Sequence, residues 1–277
     1  MPIRPEDFSY VSKLVREASA IVLEAGKEYL VELRLQPIAQ QAGLATLDKL
    51  VEKLKQDPTG PLHKRVIDAM TTNETSFFRD LHPFETLRKD VVPELIRKRA
   101  DTRTLNFWCA AASSGQEPFS TMMMLRENFP ELASWRVNYI ATDLSRDMLA
   151  RCREGKYGQF EVSRGLPAQL LVKYFDRRGT EWQIKEDIRK AVDFRELNLM
   201  KPWGPMPTMD IVFIRNVLIY FDVPTKRDIL LRIHRLLAPD GYLFLGGAET
   251  TVNICEEFES QVIGRTTCYR PKQRVKV

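Results

Sequence analysis

The residues best suited to carry chemistry in this sequence lie in the stretch 105–120, LNFWCAAASSGQEPFS. Its short apolar beginning predicts a buried strand, and the small residues from Ala110 to Gly115 predict a loop that is almost free of side chains. Gly115 permits a positive φ angle, and Pro118 suits the first turn of a helix. Glu117 adds a hydrogen-bond acceptor close to the helix N-terminus. A ligand could therefore approach the backbone of this loop closely.

An order of strand, small-residue loop and helix is typical of α/β folds that bind a nucleotide-like ligand at the carboxyl ends of their strands. The loop has neither the G-x-G-x-x-G spacing nor a Walker lysine, which disfavours a pyrophosphate or triphosphate ligand. An adenosine without phosphates fits the loop better. A tight strand-to-helix turn with no ligand is the alternative explanation of the loop taken alone.

Further polar residues follow the ends of later predicted strands. Asp143 closes the strand VNYIATD, where α/β folds use an acidic residue to hydrogen-bond ribose hydroxyls. An N-cap for the helix that begins near Ser145 is the alternative role of Asp143. Asn198 and Asn216 each fall just beyond another predicted strand.

The elements that must position these residues begin with a helical region. Apolar residues recur at helical spacing through residues 6–72, with breaks at Gly26, Gly43 and 57–60. The sequence therefore predicts a helical N-terminal domain with a linker over residues 1–80.

The segment 71–80, TTNETSFFRD, groups Asn73, Thr75, Ser76 and Arg79 around two phenylalanines. Local hydrogen bonds of Asn, Thr and Ser side chains at a helix end would explain the segment without a ligand. A ligand site is the second explanation.

Residues 81–277 alternate apolar strands with amphipathic helices, which predicts an α/β domain. After a helix over 82–99 and the strand of the opening stretch, the predicted strands are VNYIATD, VDFRELNL, MDIVFIRN, GYLFLGG and a final pair near 261–263 and 266–269. The helix before GYLFLGG is expected to end at the turn APDG. Residues 155–191 interrupt the alternation with a helix and two short strands about a turn at 178–180, which predicts a small inserted β subdomain.

Composition limits the class of protein. The 277 residues are 44% hydrophobic and 29% charged, which is ordinary for a globular protein with a real core. The sequence shows no apolar run of about 20 residues and no signal-peptide core, so a cytoplasmic protein is expected. Four scattered cysteines and three histidines do not predict a metal site.

The charge of the chain favours an acidic partner over a nucleic acid. The formal net charge is +5, and basic residues such as Lys27 and Arg34 occupy polar positions of the predicted N-terminal helices. These residues predict a basic docking face, with an ordinary helix surface as the alternative. A clustered basic stripe of the kind that binds nucleic acids is missing from the sequence.

Taken together, the motifs NETSFFRD, WCAAASSGQEPFS, ATDLS, ELNL and RNVLIYFD resemble the chemotaxis receptor glutamate methyltransferases of the CheR type. The resemblance covers nearly the whole chain. It implies a Rossmann-like S-adenosylmethionine-dependent methyltransferase sheet, a small all-helical N-terminal domain and a β subdomain inserted at about 155–191. It further implies transfer of a methyl group to receptor glutamates in sensory adaptation, with S-adenosylhomocysteine as product.

The resemblance also implies roles for individual residues. The implied cofactor contacts are Asn73, Thr75, Arg79, Ala111, Glu117, Asp143, Asn198, Leu199, Arg215 and Asn216. Asp143 is assigned to the ribose, while Arg79 and Tyr220 are assigned to placing the substrate carboxylate. The family often has Cys and an acidic residue where this chain has Ala112 and Gln116.

The implied partner is the acidic helical bundle of a receptor's cytoplasmic domain. Some family members also bind a C-terminal receptor tether peptide through a loop of the β subdomain. The corresponding segment RRGTEWQ is short here and has one glycine, so tether binding is not expected. The alternatives are a methyltransferase acting on RNA or a small molecule and a non-catalytic receptor-binding scaffold.

The implied chemistry needs no catalytic histidine. A glutamate side chain has a reference pKa of about 4.3 and is ionised at pH 7, so its attack on a methyl group needs no general base. A tight bidentate arginine would stabilise the ground state more than the transition state. We therefore expect Arg79 to orient the carboxylate rather than to hold it tightly.

Overall fold

The computed structural model describes residues 3–58 and 60–272 of the chain. These residues divide into two compact units. The first unit contains the described residues up to Thr72 together with Tyr220–Thr225, and the second contains Asn73–Ile219 and the described residues from Lys226 onward. Every helix within the described ranges is too short or too polar to cross a membrane.

The first unit is built from helices, as the spacing of its apolar residues predicts. The helices are α1 (Pro5–Ser19), α2 (Glu28–Gln41), α3 (Leu47–Gln56) and α4 (Pro61–Met70). Each presents an apolar stripe to a common core, in which Val11, Val31, Leu50 and Val66 are fully buried. Gly26, between α1 and α2, has a left-handed φ of 87° that suits the break there. The prediction of a small all-helical N-terminal domain is confirmed.

The two units meet in sequence at Thr72, whereas the predicted linker runs on to residue 80. Residues 73–80 group with the second unit because their polar groups bond there. The Ser113 hydroxyl, for example, donates a hydrogen bond of 2.7 Å to the Asn73 carbonyl.

A broken helical segment leads into the sheet of the second unit. It consists of α5 (His82–Thr86), a π-helical turn (Leu87–Val91) and α6 (Val92–Lys98). The Val92 N–H donates to the Leu87 carbonyl, one residue beyond α-helical spacing, directly before Pro93, which has no N–H to donate. The helix predicted over 82–99 is thus present with one widened turn.

The strands and the remaining helices alternate through the rest of the chain. The strands are β1 (Thr104–Ala110), β2 (Arg136–Asp143), β3 (Lys156–Gly158), β4 (Phe175–Arg178), β5 (Glu181–Ile184), β6 (Asp193–Glu196), β7 (Met209–Ile214), β8 (Leu237–Leu245), β9 (Phe258–Ile263) and β10 (Thr266–Pro271). The helices are α7 (Gln116–Asn128), α8 (Arg146–Glu154), α9 (Gln159–Ser163), α10 (Ala168–Tyr174), α11 (Glu186–Arg189) and α12 (Val223–Leu236), with 3₁₀ helices at Pro130–Ser134 and Leu218–Tyr220.

The main sheet has the order β6-β2-β1-β7-β8-β10-β9 in the described part of the chain. The first five strands of this order, β6, β2, β1, β7 and β8, are parallel to one another. Strands β10 and β9 are antiparallel additions at one edge. The strand order reverses at β1, which lies between β2 and β7. In α/β folds, ligands bind beyond the carboxyl ends of the strands at such a reversal. The prediction of a Rossmann-like α/β sheet is confirmed.

The central strands β1 and β7 are deeply buried. All six residues of β7 are buried, as are Phe107, Trp108 and Cys109 of β1. Strands covered on both faces read as continuous apolar runs, as these strands do. The loops that follow these two strands therefore start from rigid positions.

The inserted segment forms a separate antiparallel sheet of order β3-β5-β4. β4 and β5 pair from Phe175 with Ile184 to Arg178 with Glu181, so only two residues form the turn between them. The short strands predicted about a turn at 178–180 are confirmed.

The turn predicted at APDG, residues 238–241, is wrong. Strand β8 already begins at Leu237, which pairs with Met209, and the register then shifts so that Tyr242 pairs with Ile211. The residues between them form an irregularity within the strand because four residues of β8 lie opposite one residue of β7.

Candidate active site

The loop between β1 and α7 has a left-handed backbone at three positions. The φ angles are 59° at Ala111, 51° at Ser113 and 92° at Gly115. A β-carbon on Gly115 would lie 3.0 Å from the Cys152 sulfur, so a side chain there would be crowded as well as strained. The predicted close approach of a ligand to this backbone is compatible with these conformations.

Asp143 ties two loops together at the end of β2. One carboxylate oxygen accepts a hydrogen bond of 2.8 Å from the Ser113 N–H, and the other accepts one of 2.9 Å from the Ser145 N–H. The carboxylate is buried, with the residue 7% exposed. The N-cap of α8 is Ser145, whose hydroxyl accepts from the Met148 N–H, so Asp143 is not the cap itself.

Arg215 connects three segments at the carboxyl end of β7. Its Nη1 donates to Glu117 Oε2 over 2.5 Å, while Nη2 donates to Asp80 Oδ2 over 2.6 Å and to the Arg79 carbonyl over 3.0 Å. The Arg215 side chain is 2% exposed. Burial disfavours the charged guanidinium, but the two carboxylates outweigh this effect and raise the pKa of Arg215. The guanidinium is therefore charged and fixed.

Both carboxylate oxygens of Glu117 accept hydrogen bonds from other side chains of the chain. Its Oε1 accepts a hydrogen bond of 3.3 Å from the Cys109 thiol, and Oε2 accepts from Arg215. Burial, followed by the nearby Glu117 charge, raises the pKa of the Cys109 thiol, so the thiol stays protonated and can donate. Sequence reasoning missed Cys109, although it directly precedes the small-residue loop.

The segment 73–81 packs along the same loop and has a strained backbone. The φ angles of Phe78, Asp80 and Leu81 are 48°, 67° and 46°. Left-handed conformations of such residues cost on the order of 1–3 kcal/mol each and persist where surrounding contacts hold them. The Phe78 N–H donates to Ser120 Oγ over 3.0 Å, and Arg215 holds the carbonyl of Arg79.

Three predicted site residues of segment 73–81, namely Asn73, Thr75 and Arg79, are half-buried. Arg79 Nη1 donates to the Glu74 carbonyl over 3.0 Å, which ties the guanidinium to its own segment. The Asn73 carbonyl accepts from Ser113, and Thr75 lies between these two anchored points. Of these three residues, Asn73 is joined to the β1 loop through its carbonyl, and the cofactor roles of Asn73, Thr75 and Arg79 stay predictions.

Asn198 and Leu199 follow β6 and adjoin Asp143. The Leu197 N–H donates to the Asp143 carbonyl over 3.0 Å. Asn198 Oδ1 accepts from the Met200 N–H over 2.9 Å, which fixes the amide beside its own turn. Leu199 is buried and its carbonyl accepts from Arg232 over 2.5 Å.

Asn216 adopts a left-handed φ of 57° directly after Arg215. Its N–H donates to Glu249 Oε2 over 2.8 Å. Two buried atoms, Asn216 Oδ1 and Arg215 Nε, have no hydrogen-bond partner among residues 3–58 and 60–272. Sequence reasoning missed Glu249, for which the only signal is an acidic residue shortly after the Gly246–Gly247 pair that follows β8.

Tyr220 is grouped with the first unit. It ends the 3₁₀ helix Leu218–Tyr220, and its carbonyl accepts a hydrogen bond of 3.1 Å from the Val22 N–H. The ten other predicted site residues all belong to the second unit.

Arg34 differs from its predicted role as an exposed docking charge. It donates to the Met70 carbonyl over 2.9 Å, the Thr71 carbonyl over 3.1 Å and Thr72 Oγ1 over 2.9 Å. Burial lowers its pKa, and the nearby Tyr220 partly offsets this effect. Arg34 therefore anchors the end of α4, whereas Lys27 is exposed.

The second unit fits a cofactor of the expected kind. The β1 loop offers backbone rather than side chains, and Asp143 is a buried carboxylate at the end of β2. The unpartnered Arg215 Nε and Asn216 Oδ1 are a donor and an acceptor that a polar ligand could satisfy. These features match S-adenosylmethionine, which carries an adenosine and an amino acid but no phosphate.

Curated relatives cover most of the chain. It is 43% identical over 258 residues to chemotaxis protein methyltransferase Cher2 of Pseudomonas putida, covering 91% of this chain and 93% of the relative. It is 43% identical over 271 residues to chemotaxis protein methyltransferase 1 of Pseudomonas aeruginosa, covering 96% and 98%. A chemotaxis protein methyltransferase of Vibrio parahaemolyticus is 36% identical over 261 residues, with 93% and 94% covered.

Two family descriptions match the two parts of the sequence. Residues 6–71 match the CheR methyltransferase all-alpha domain, and residues 73–266 match the CheR methyltransferase SAM binding domain. The cofactor is therefore S-adenosylmethionine, as the sequence predicts. On the combined agreement of fold, site and relatives, the chain belongs to the CheR methyltransferase family.

Proposed function

We propose that this chain transfers a methyl group from S-adenosylmethionine to glutamate side chains of chemotaxis receptors. The observation that supports the proposal most strongly is the network from Asp143 through the β1 loop and Glu117 to Arg215. This network lies in the domain that matches the family's cofactor-binding domain. The named chemotaxis methyltransferases at 43% identity support the receptor substrate.

The cofactor contacts follow the residues that the family resemblance implies. We propose as contacts Asn73, Thr75, Arg79, Ala111, Glu117, Asp143, Asn198, Leu199, Arg215 and Asn216. Asp143 is proposed for the ribose hydroxyls because it is a buried carboxylate at the carboxyl end of β2, where α/β folds use an acidic residue to bind the ribose. Arg215 and Glu117 are proposed to act mainly by holding the loop, since their charges already pair with each other.

The residues of the chain have to orient a nucleophile rather than create one. When bound, S-adenosylmethionine supplies an electrophilic methyl group on a positively charged sulfur. A substrate glutamate is ionised at pH 7, so no residue has to remove a proton from it. The remaining requirement is alignment, which can supply a large part of a rate enhancement.

Arg79 and Tyr220 are proposed as the residues that orient the substrate carboxylate. Arg79 is half-buried, and its bond to the Glu74 carbonyl restricts the guanidinium without neutralising it. A positively charged group held in this way can direct a carboxylate at a smaller cost than a flexible one. The role of Tyr220 rests on the RNVLIYFD motif.

The acidic helical bundle of the receptor's cytoplasmic domain is proposed as the docking partner. Helix α2 carries exposed apolar residues at helical spacing, Tyr29 at 62% and Leu33 at 70%, and exposed Lys27 precedes the helix. An apolar pair beside a cation suits an acidic amphipathic surface. The cytoplasmic location stays a prediction from the sequence.

The two-residue β4–β5 turn supports the expectation that a free C-terminal tether peptide of a receptor binds poorly.

Mass spectrometry of a receptor cytoplasmic domain incubated with the full chain and S-adenosylmethionine tests the proposed function. We expect mass increases of one methyl group on glutamate residues, absent when S-adenosylhomocysteine is added in excess. Parallel incubation with RNA provides the comparison. Methylation of RNA in place of receptor would reject the proposal.

A further inference from the structure

Glu249 accepts four backbone hydrogen bonds in the second unit. Its Oε2 accepts from the N–H groups of Gly246 over 2.7 Å and Asn216 over 2.8 Å. Its Oε1 accepts from the N–H groups of Val217 over 3.0 Å and Ile219 over 3.2 Å. A carboxylate has about four acceptor positions, so this side chain is fully used by backbone donors.

The four donors come from two neighbouring loops. β7 and β8 are adjacent and parallel, and their last paired residues are Ile214 and Leu245. The chain leaves the sheet after both residues, so the N–H groups that follow have no strand partner. Backbone donors that leave a sheet need another acceptor, and the Glu249 carboxylate supplies one to both loops at once. Three of the four hydrogen bonds are part-buried, and the one from Ile219 is exposed.

The contact between the loops also explains a glycine at the end of β8. A β-carbon on Gly246 would lie 2.7 Å from Asn216 Nδ2 and 2.8 Å from Asn216 N. The same β-carbon would lie 2.8 Å from Glu249 Oε2. Such distances are too short for any real β-carbon, so a side chain at residue 246 would displace Asn216 and the Glu249 carboxylate. The Glu249 carboxylate therefore holds the Asn216 backbone in a space that stays open because residue 246 has no side chain.

Asn216 is the residue whose position matters for the site. Its left-handed backbone, with a φ of 57°, is uncommon outside glycine and needs support from its surroundings. Its Oδ1 is buried and unpartnered among the described residues, so its amide retains an acceptor for a ligand. Because Glu249 holds the Asn216 N–H, it also determines where the Asn216 Oδ1 lies.

We infer that Glu249 is a positioning residue for methyl transfer, which acts through Asn216 by holding the 216–219 backbone. The inference rests on the proposed function for its link to catalysis, whereas its effect on cofactor binding is independent of the substrate. All four hydrogen bonds described above join the Glu249 carboxylate to backbone N–H groups. We therefore assign Glu249 no contact with the reacting atoms.

Glu249→Gln is the principal test because it keeps the side-chain size and replaces one acceptor oxygen by a donor that faces N–H groups. Calorimetric binding of S-adenosylhomocysteine should weaken at least tenfold, and kcat should fall by a similar factor. The KM for the receptor fragment should stay within about twofold. A loss of folded enzyme would not explain the weaker affinity, because a smaller folded fraction lowers kcat and the binding stoichiometry without changing the binding constant. Glu256→Gln, at an exposed acidic residue of the same region, should match the parent.

A double-mutant cycle separates positioning from general stabilisation. If Glu249 acts through Asn216, then Glu249→Gln should weaken S-adenosylhomocysteine binding far less in an Asn216→Ala background than in the parent. Equal losses in both backgrounds would overturn the inference. Binding at parent affinity by a folded Glu249→Gln variant would overturn it as well.

A second variant keeps the test decisive if Glu249→Gln does not fold. Gly246→Ala keeps Glu249 in the sequence but crowds both Asn216 and the Glu249 carboxylate, and should reproduce the loss of S-adenosylhomocysteine affinity. Parent affinity in Gly246→Ala would reject the inference. If the cycle shows coupling but the parent methylates no receptor, the proposed function fails while the positioning role in cofactor binding stands.

Discussion

The guanidinium of Arg215 and the carboxylate of Glu117 form a buried ion pair with an Nη1 to Oε2 distance of 2.5 Å. The pair joins the carboxyl end of β7 to the first turn of α7. Arg215 also donates to Asp80 and to the Arg79 carbonyl. One buried charge therefore holds both segment 73–81 and the start of α7.

Arg215→Met should destabilise the chain strongly because it leaves Glu117 as a buried carboxylate without its cation. Breaking a buried pair in this way costs about 3–5 kcal/mol. We expect a fall of Tm by about 6 °C or more, measured by circular dichroism. Adding Glu117→Gln should recover part of the loss.

The exposed pair of Arg126 and Asp187 provides the control for this prediction. Its Nη1 to Oδ2 distance of 2.6 Å is similar, but the Arg126 side chain is 41% exposed. Surface pairs of this kind contribute about 0–1 kcal/mol. A Tm change in Arg215→Met no larger than that in Arg126→Met would contradict the role assigned to burial.

Asp143→Ala should weaken the binding of S-adenosylhomocysteine at least tenfold. Hydrogen bonds to a charged group are worth about 1.5–3 kcal/mol each, and about 1.4 kcal/mol corresponds to a factor of ten. Calorimetry measures the affinity, with Asp147→Ala at an exposed site of α8 as the matched control. Unchanged affinity in a folded Asp143→Ala variant would reject the ribose assignment.

Because Asp143 also holds the Ser113 N–H, the ribose contact requires a separate measurement. A cofactor analogue without the ribose 2′-hydroxyl should bind more weakly than S-adenosylhomocysteine to the parent but about equally to Asp143→Ala. The same discrimination by both proteins would assign the loss to the loop rather than to the ribose.

Tyr220→Phe should lower kcat by a factor on the order of ten or more, since the variant keeps the ring but loses the hydrogen bond that Tyr220 is proposed to make to the substrate carboxylate. Tyr10→Phe, in α1, is the control of the same chemistry. Steady-state kinetics against pH provide the measurement. Loss of a basic limb that the parent shows would mean that Tyr220 titrates during catalysis, and the orienting role would be wrong.

Arg79→Lys should lower kcat more than Tyr220→Phe does. Lysine keeps the positive charge but lacks the planar set of donors that can address a carboxylate and the Glu74 carbonyl together. Because no general base is removed, raising the pH should not restore the rate. A parent-like kcat in Arg79→Lys, alongside unchanged Arg97→Lys, would show that charge alone suffices.

Lys27→Glu should raise the KM for the receptor and flatten its dependence on salt, while leaving cofactor affinity unchanged. Reversing an exposed charge weakens attraction to an acidic surface, and that attraction is screened by salt. Arg97→Glu, at an exposed residue of the second unit, should keep the parent's salt dependence. Equal salt dependence in the parent and Lys27→Glu would count against docking through α2.

Much of the fold was determined by short-range patterns in the sequence. The apolar spacing of α1 to α4, the buried runs of β1 and β7, and the small-residue loop all depend on neighbours within one element. The exception is β8, where the expected APDG turn became a bulge because pairing with β7 continues past it. Propensity favours a turn there, but pairing across the sheet prevails.

The sequence also placed candidate residues at strand ends, since parallel strands direct their carboxyl ends to one edge. It could not show how their charges pair. Whether Arg215 faces a ligand or Glu117, and whether Arg34 is exposed or bound to the end of α4, depends on residues far away in the chain. Only the tertiary structure brings those partners together.

Glu249 shows the same limit most clearly. Nothing near residue 249 in the sequence indicates that it bonds to backbone some 30 residues earlier, because backbone N–H groups are present in every residue and leave no sequence signal. The sequence by itself determined the family, the sheet and the kind of cofactor. The tertiary structure decided which side chains hold the loops, because a hydrogen bond requires distance and direction that only the folded backbone fixes.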